Sequence, residues 1–289
     1  MACANGYYYN NTSKERLMLA MPYLTHLTVT VGKRIGNAIQ IFTDSDDVVS
    51  EAKKMGKIAL MRVYDNSGDT EINGEYASFL IKLAKEKNFD GITLASYKAI
   101  EENPNEYAKS LVEFKKLLLD SELMLYLEID ANKQIKIPDI ADGYVIMYEK
   151  CSLEKIPTFD DGERKVFLDF AEEREPNKAY IDLTPFAYIG GEEASIKEAV
   201  AQAYSCGLEI LEDSEKGICH FSYNRYKAGK KEIMQVVFES LENVKSKLEA
   251  VGEYGFMGIS FDIMNVPIEY LMMFETMFSR PTAYMQKNF

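Results

Sequence analysis

Asp90-Gly91-Ile92-Thr93-Leu94-Ala95-Ser96-Tyr97 is a mostly apolar run opened by an acid. On a β-strand the side chains alternate faces, so Thr93, Ala95 and Tyr97 share one face. If the strand belongs to a closed barrel, that face is the interior. Tyr97 then lies at the C-terminal rim, where barrel enzymes keep their chemistry. Acid–base catalysis there needs a group that titrates near neutral pH. Tyr97 has an unperturbed pKa of about 10, and Thr93 and Ala95 supply no acid. The face is expected to be catalytically silent. Four other carboxylates stand on or beside strand-like runs: Glu128, Glu149, Asp182 and Asp262. A relocated acid–base pair among them is the alternative. For binding, the candidates are Tyr97, Tyr148, Glu149, Tyr188, Phe261 and Asp262, which offer rings and hydrogen-bonding groups suited to a sugar. Four have a plainer reading: Tyr97 as a plug in the barrel mouth, Phe261 as core, and Tyr148 with Glu149 as a rim pair satisfied by neighbours.

The elements that must position these residues alternate β-rich runs with amphipathic helical stretches, the pattern of an α/β protein with a parallel sheet. The strands are expected at Gly6–Tyr9, His26–Val31, Ile58–Tyr64, the run after Asp90, Leu123–Ile129, Gly143–Tyr148, Tyr180–Phe186 and Phe256–Phe261. Helices are expected from Ser13 as N-cap to about Tyr23, and over Asp44–Lys54, Glu75–Lys87, Pro104–Leu119, Asp161–Glu173 and Leu241–Gly252. Between about 190 and 230 the rhythm breaks into a helix, Ala194–Tyr204, and two β-like runs, Gly207–Leu211 and Ile218–Tyr223. The expected architecture is a single (β/α)8 TIM barrel over 1–289, with a small α+β insertion between strands 7 and 8. Leu271-Met272-Met273-Phe274 reads as helix packing. The tail Phe278–Phe289, interrupted by Pro281, has no assigned place in the barrel.

Composition narrows the function classes. The chain has 289 residues, 47% of them hydrophobic and 27% charged, with a net charge of −13. That charge argues against a nucleic-acid backbone or an anionic membrane as partner. The sequence holds no apolar stretch of about 18 residues, so no transmembrane helix is expected. The N-terminus shows no signal-peptide pattern, so a cytoplasmic product is expected, including one assembled onto a spore or another particle. Cys3, Cys151, Cys206 and Cys219 show no metal-ligand spacing, and His26 and His220 are the only histidines. No metal and no cofactor are expected. The cysteines read as reduced thiols, with a local Cys206–Cys219 bridge as the alternative. There is no Trp against 19 Tyr and 15 Phe, so a cleft threading a polymer over indole rings is excluded.

The run after Asp90 resembles the signature strand D-G-x-D-x-D-x-E of glycoside hydrolase family 18. Other segments match along the chain. Asn5-Gly6-Tyr7-Tyr8 is similar to the family's opening strand, and Tyr23-Leu24-Thr25-His26-Leu27-Thr28 to its second unit. Gly36-Asn37-Ala38-Ile39 with Asp44–Leu60 resembles the spore-cortex-lytic N-acetylglucosaminidase branch. Ile146-Met147-Tyr148-Glu149 stands for M-x-Y-D, Leu183–Tyr188 for L-x-x-P-x-Y, and Val236–Glu239 with Lys247 for a late segment. Gly258–Asp262 stands for G-x-x-x-W. The resemblance implies a TIM barrel. It also implies substrate-assisted hydrolysis of N-acetyl sugars, in which an Asp orients the acetamide and a Glu protonates the leaving oxygen.

The departures fall together. Thr93, Ala95 and Tyr97 replace the three acids, Glu149 the Asp of strand six, and Asp262 the Trp of strand eight. A kept scaffold without its chemistry implies a catalytically inactive, chitinase-like protein that acts by binding a glycan or by structural assembly. The partners expected are an N-acetylglucosamine-containing glycan, a protein, or further copies of the chain. An active N-acetylglucosaminidase or peptidoglycan hydrolase with relocated acids is the competing reading.

Overall fold

The structure is a computed structural model and describes residues 3–130, 139–147, 175–183, 185–227, 229–267 and 270–273. The expected helix Asp161–Glu173, Tyr148, Glu149 and the tail from Phe278 lie outside the described residues.

Eight parallel strands close a barrel. They are β1 (Cys3–Tyr8), β2 (His26–Ile35), β4 (Ile58–Tyr64), β5 (Gly91–Ala95), β6 (Met124–Asp130), β7 (Gly143–Met147), β8 (Ala179–Asp182) and β14 (Gly258–Asp262). β14 pairs with β8 on one side and with β1 on the other, and β1 pairs with β2, which completes the ring. The expected TIM barrel is the observed one. A short strand, β3 (Ala38–Ile41), turns back antiparallel on the end of β2. It extends β2 beyond the expected Val31.

The helices between the strands are α1 (Lys14–Ala20), α2 (Asp46–Lys54), α3 (Gly74–Glu86), α4 (Tyr97–Glu102), α5 (Pro104–Asp120) and α7 (Leu241–Glu253). Their starts follow from local chemistry. The side chains of Ser13, Asn73 and Ser240 accept backbone N–H groups of Arg16, Tyr76 and Asn243, which satisfies donors that the helix cannot. The apolar faces of these helices and the outward faces of the strands form one continuous core, with Val29, Ile92, Leu94, Leu125, Leu127, Ile146, Ile181 and Phe261 among its members.

The barrel interior holds a second, smaller cluster: Tyr7, Leu60, Tyr126, Val145 and Tyr180. Three phenols in so narrow a space require small neighbours. A Cβ on Gly143 would lie 2.2 Å from the Tyr126 ring, and one on Gly258 would lie 1.8 Å from the Cys3 carbonyl oxygen. Glycine at these two positions lets the ring fit and lets β14 approach β1.

The insertion is larger than the sequence suggests and spans 187–239. It is a five-stranded antiparallel sheet, ordered β10-β9-β13-β12-β11, that carries α6 (Ile196–Cys206). The strands are β9 (Ala187–Ile189), β10 (Glu192–Ala194), β11 (Leu211–Asp213), β12 (Ile218–Lys227) and β13 (Lys230–Glu239). The expected run at Gly207–Leu211 becomes strand only at Leu211, where β11 begins. Gly207 instead closes α6 in the left-handed conformation, with φ of 62°. Cys206 and Cys219 are free, so the alternative bridge is not made.

Candidate functional site

On the inward faces of β4 and β6, Arg62 and Glu128 meet across β5. Arg62 Nε donates to Glu128 Oε1 at 2.6 Å and Nη2 donates to Oε2 at 2.7 Å, a fork-to-fork pair. The carboxylate also accepts from the Tyr7 hydroxyl at 2.7 Å and from the Tyr97 hydroxyl at 2.6 Å. Glu128 is fully buried and Arg62 nearly so. The guanidinium lies over the rings of Tyr7, Tyr64 and Tyr9, at 5.4, 5.7 and 5.9 Å from their centres. Thr93, on the strand between, pairs in register with Arg62, and Ala95 with Tyr64. Their small side chains share the inward face that the ion pair crosses.

The electrostatics follow from this geometry. Burial pushes the Glu128 carboxyl up, but the charge and hydrogen bonds of Arg62, joined by those from Tyr97 and Tyr7, outweigh it. The group ends below the usual carboxylate range. Burial and the adjacent Glu128 charge drive the Tyr97 and Tyr7 hydroxyls well above the ordinary phenol value. Glu128 is thus held as an anion, and Tyr97 and Tyr7 as neutral donors to it. None of the three is set to give up a proton near neutral pH.

The other sequence candidates fall in different places. Asp90 sits at the opposite end of its strand, where it pairs with Lys53 and accepts the Ala59 N–H at 2.8 Å. It fastens α2, β4 and β5 together. Tyr97 is not on the strand, because the extended run stops at Ala95 and Tyr97 is the first residue of α4. The chain turns at Ser96, and the phenol still reaches the interior. Asp262 at the end of β14 accepts from the Met264 N–H and the Asn265 amide, both at 2.8 Å, and shapes the turn that follows. Asp182 ends β8, and both it and Asp262 are near enough to help raise the Tyr9 hydroxyl. Phe261 faces outward into the core between barrel and helices, not into the mouth, because its neighbours Ser260 and Asp262 take the inward positions. Tyr188 is buried in the second sheet, across from Val237 and Glu193. Of the named candidates, the structure gathers Thr93, Ala95, Tyr97, Glu128, Asp182 and Asp262 at the barrel interior and its mouth.

A cavity of about 230 Å³ remains beside this cluster, on the side of β1, β2 and β4. Tyr9, Tyr64 and Phe42 wall it, with Thr30, Thr43 and Arg62 supplying polar groups. Thr43 is only 6% exposed, and its hydroxyl has no partner among the described residues. Among the described residues, Arg62 Nη1 reaches Thr30 Oγ1 alone, at 3.4 Å. The cavity therefore combines ring faces with polar groups short of partners, an arrangement suited to a small hydroxyl- or carbonyl-bearing group. Sequence reasoning missed Arg62, Tyr9 and Tyr64. One signal was available: a lone cation in the apolar run Ile58–Tyr64, matched by a lone anion in Leu123–Ile129.

No family model matches the chain, and no curated protein sequence does. Solved structures match it in shape. The spore cortex-lytic enzyme SleL of Bacillus megaterium QM B1551 aligns over 95% of this chain and 73% of its own, with a TM-score of 0.76 and 18% identity. A chitinase from Chromobacterium violaceum ATCC 12472 aligns over 96% of this chain and 99% of its own, at 0.77 and 18%. A class V chitinase from Nicotiana tobaccum, solved as a mutant in complex with NAG4, aligns over 95% and 97%, at 0.75 and 12%. At these identities the likeness establishes the fold, a chitinase-like barrel of the kind that the sequence resemblance implies.

Proposed function

We propose that this chain is a chitinase-like barrel that binds an N-acetylglucosamine-containing glycan at its mouth without hydrolysing it. One observation carries the reading. At the position where the resemblance calls for a proton donor, the Tyr97 hydroxyl instead donates to Glu128, whose two oxygens are already engaged by Arg62. A carboxyl so paired stays ionised and cannot act as a general acid near neutral pH. The cavity walled by Tyr9, Tyr64 and Phe42 supports the binding half of the proposal, since its size and its mixture of rings and hydroxyls suit a single sugar residue.

The test is one preparation assayed twice, for turnover of fluorogenic N-acetylglucosaminides and muropeptides and for binding of the same unlabelled oligomers. Binding without turnover supports the proposal. Turnover overturns it and directs attention to Asp182 and Asp262, which end the neighbouring strands β8 and β14. Absence of both overturns the binding half and leaves a role in assembly.

A further inference from the structure

In the insertion, β12 and β13 pair along their whole length, from Ile218 opposite Glu239 to Lys227 opposite Lys230. Their neighbours cover only the base. β9 meets β13 at Val236–Phe238, and β11 meets β12 at Ile218–His220. The outer half is a bare two-stranded arm, open at both edges. Such ribbons are marginal in water, and open edges invite pairing with another chain. The arm also exposes two large apolar side chains: Tyr226 is 73% and Ile233 71% accessible. The register places both on one face, since Ile233 lies opposite Asn224 and Tyr226 opposite Lys231.

Its tip is basic in a strongly acidic chain. Lys227, Lys230 and Lys231 surround the turn at Gly229, and none makes an ion pair among the described residues. At the foot of the same arm lies a groove of about 840 Å³ between α6 and the arm. Its rim carries Glu192, Glu193 and Glu198, and Met234 is part of its lining. The tip cannot fold back into its own groove. Arg225 and Glu232 line that groove from the arm itself, and bending the tip onto them would break the ladder between them.

We propose that the insertion is a self-association device: the basic arm tip of one copy seats in the acidic groove of a second, and the exchange is reciprocal. Such a contact is isologous, so two copies close on themselves and bury the exposed faces of Tyr226 and Ile233. The opposite charges steer the encounter and fix its register. This inference is independent of whether the barrel binds glycan.

The experiment is the molar mass of the full chain in solution, measured by light scattering and analytical ultracentrifugation at low and at high ionic strength, roughly 0.05 and 1 M. The expected result is a dimer that weakens with salt. K230E/K231E and E192K/E193K are each expected to raise the dimer dissociation constant on the order of tenfold or more. Mixing the two variants is expected to restore a heterodimer, because each arm then meets a groove of opposite charge. Restoration also shows that both variants are folded. A monomer at all concentrations, an oligomer indifferent to both variants, or failure of the mixture to associate would each overturn the proposal.

Discussion

Tyr97 Oη lies 2.6 Å from Glu128 Oε2, at the open end of a bidentate bridge between Glu128 and Arg62. At the position where the resemblance implies a proton donor, Tyr97 thus serves as a hydrogen-bond donor to a buried anion.

Removing one partner of this bridge leaves an uncompensated charge inside the barrel. Glu128→Leu and Arg62→Met are each expected to lower stability by about 3–5 kcal/mol. The double variant Arg62→Met/Glu128→Leu is expected to recover most of the loss, because neither charge remains. Urea unfolding of the three variants measures the coupling; strictly additive losses would show that the bridge is not a unit.

Tyr97→Phe keeps the ring and removes one hydrogen bond to an ion. A loss of about 1.5–3 kcal/mol is expected, with the fold retained. The near-ultraviolet dichroism and the unfolding midpoint check this.

Tyr97→Glu returns a carboxyl to the rim but sets it against Glu128. No turnover of a fluorogenic N-acetylglucosaminide is expected, together with reduced stability from two like charges in close contact. Appearance of turnover would show that the missing acid alone silences the barrel.

His26 is buried at the closed end of the barrel, with its Nδ1 within 2.9 Å of the Tyr180 hydroxyl and 3.0 Å of Thr25 Oγ1. Burial depresses its pKa from the usual 6.5 to about 4. Between those values the unfolded chain takes up a proton that the folded chain refuses, so stability falls as pH falls through that window, by about 3 kcal/mol in full. His26→Asn is expected to flatten the slope. Urea midpoints at several pH values between 7 and 4 settle it, and an unchanged slope in the variant would assign the effect elsewhere.

Gly143→Ala places a methyl group against the Tyr126 ring. Overpacking at this point is expected to cost about 3 kcal/mol. Gly143→Ala combined with Tyr126→Phe relieves nothing, because the atoms in the way are ring carbons, with the hydroxyl beyond them. Thermal unfolding of both variants distinguishes the two.

The barrel was legible from the chain because each strand announces itself locally: β4, β5, β6 and β14 are short apolar runs between helices with capping residues in place. The shared face of Thr93 and Ala95 was legible for the same reason, since it needs only an alternation of two. The ion pair beside that face was not legible. Arg62 and Glu128 lie 66 positions apart, and nothing in either run says that the two side chains meet. Phe261 reads as either core or sugar platform because a rim position does not declare which way its ring points, and the ring lies in the core. The insertion was underestimated because β13 runs straight into Val236–Glu239, a segment that also matches the late part of the barrel.

The bridge between Arg62 and Glu128 also shapes which neighbouring sequences are reachable. A change at Tyr97, Glu128 or Arg62 first removes a member of a mutually dependent set and lowers stability, whatever new chemistry it brings. Proteins sit only a few kcal/mol above unfolding, so a single loss of this size consumes much of that margin. The interior thus works as a ratchet: it holds the barrel in its present state against stepwise substitution, and departure from that state requires several residues to change together.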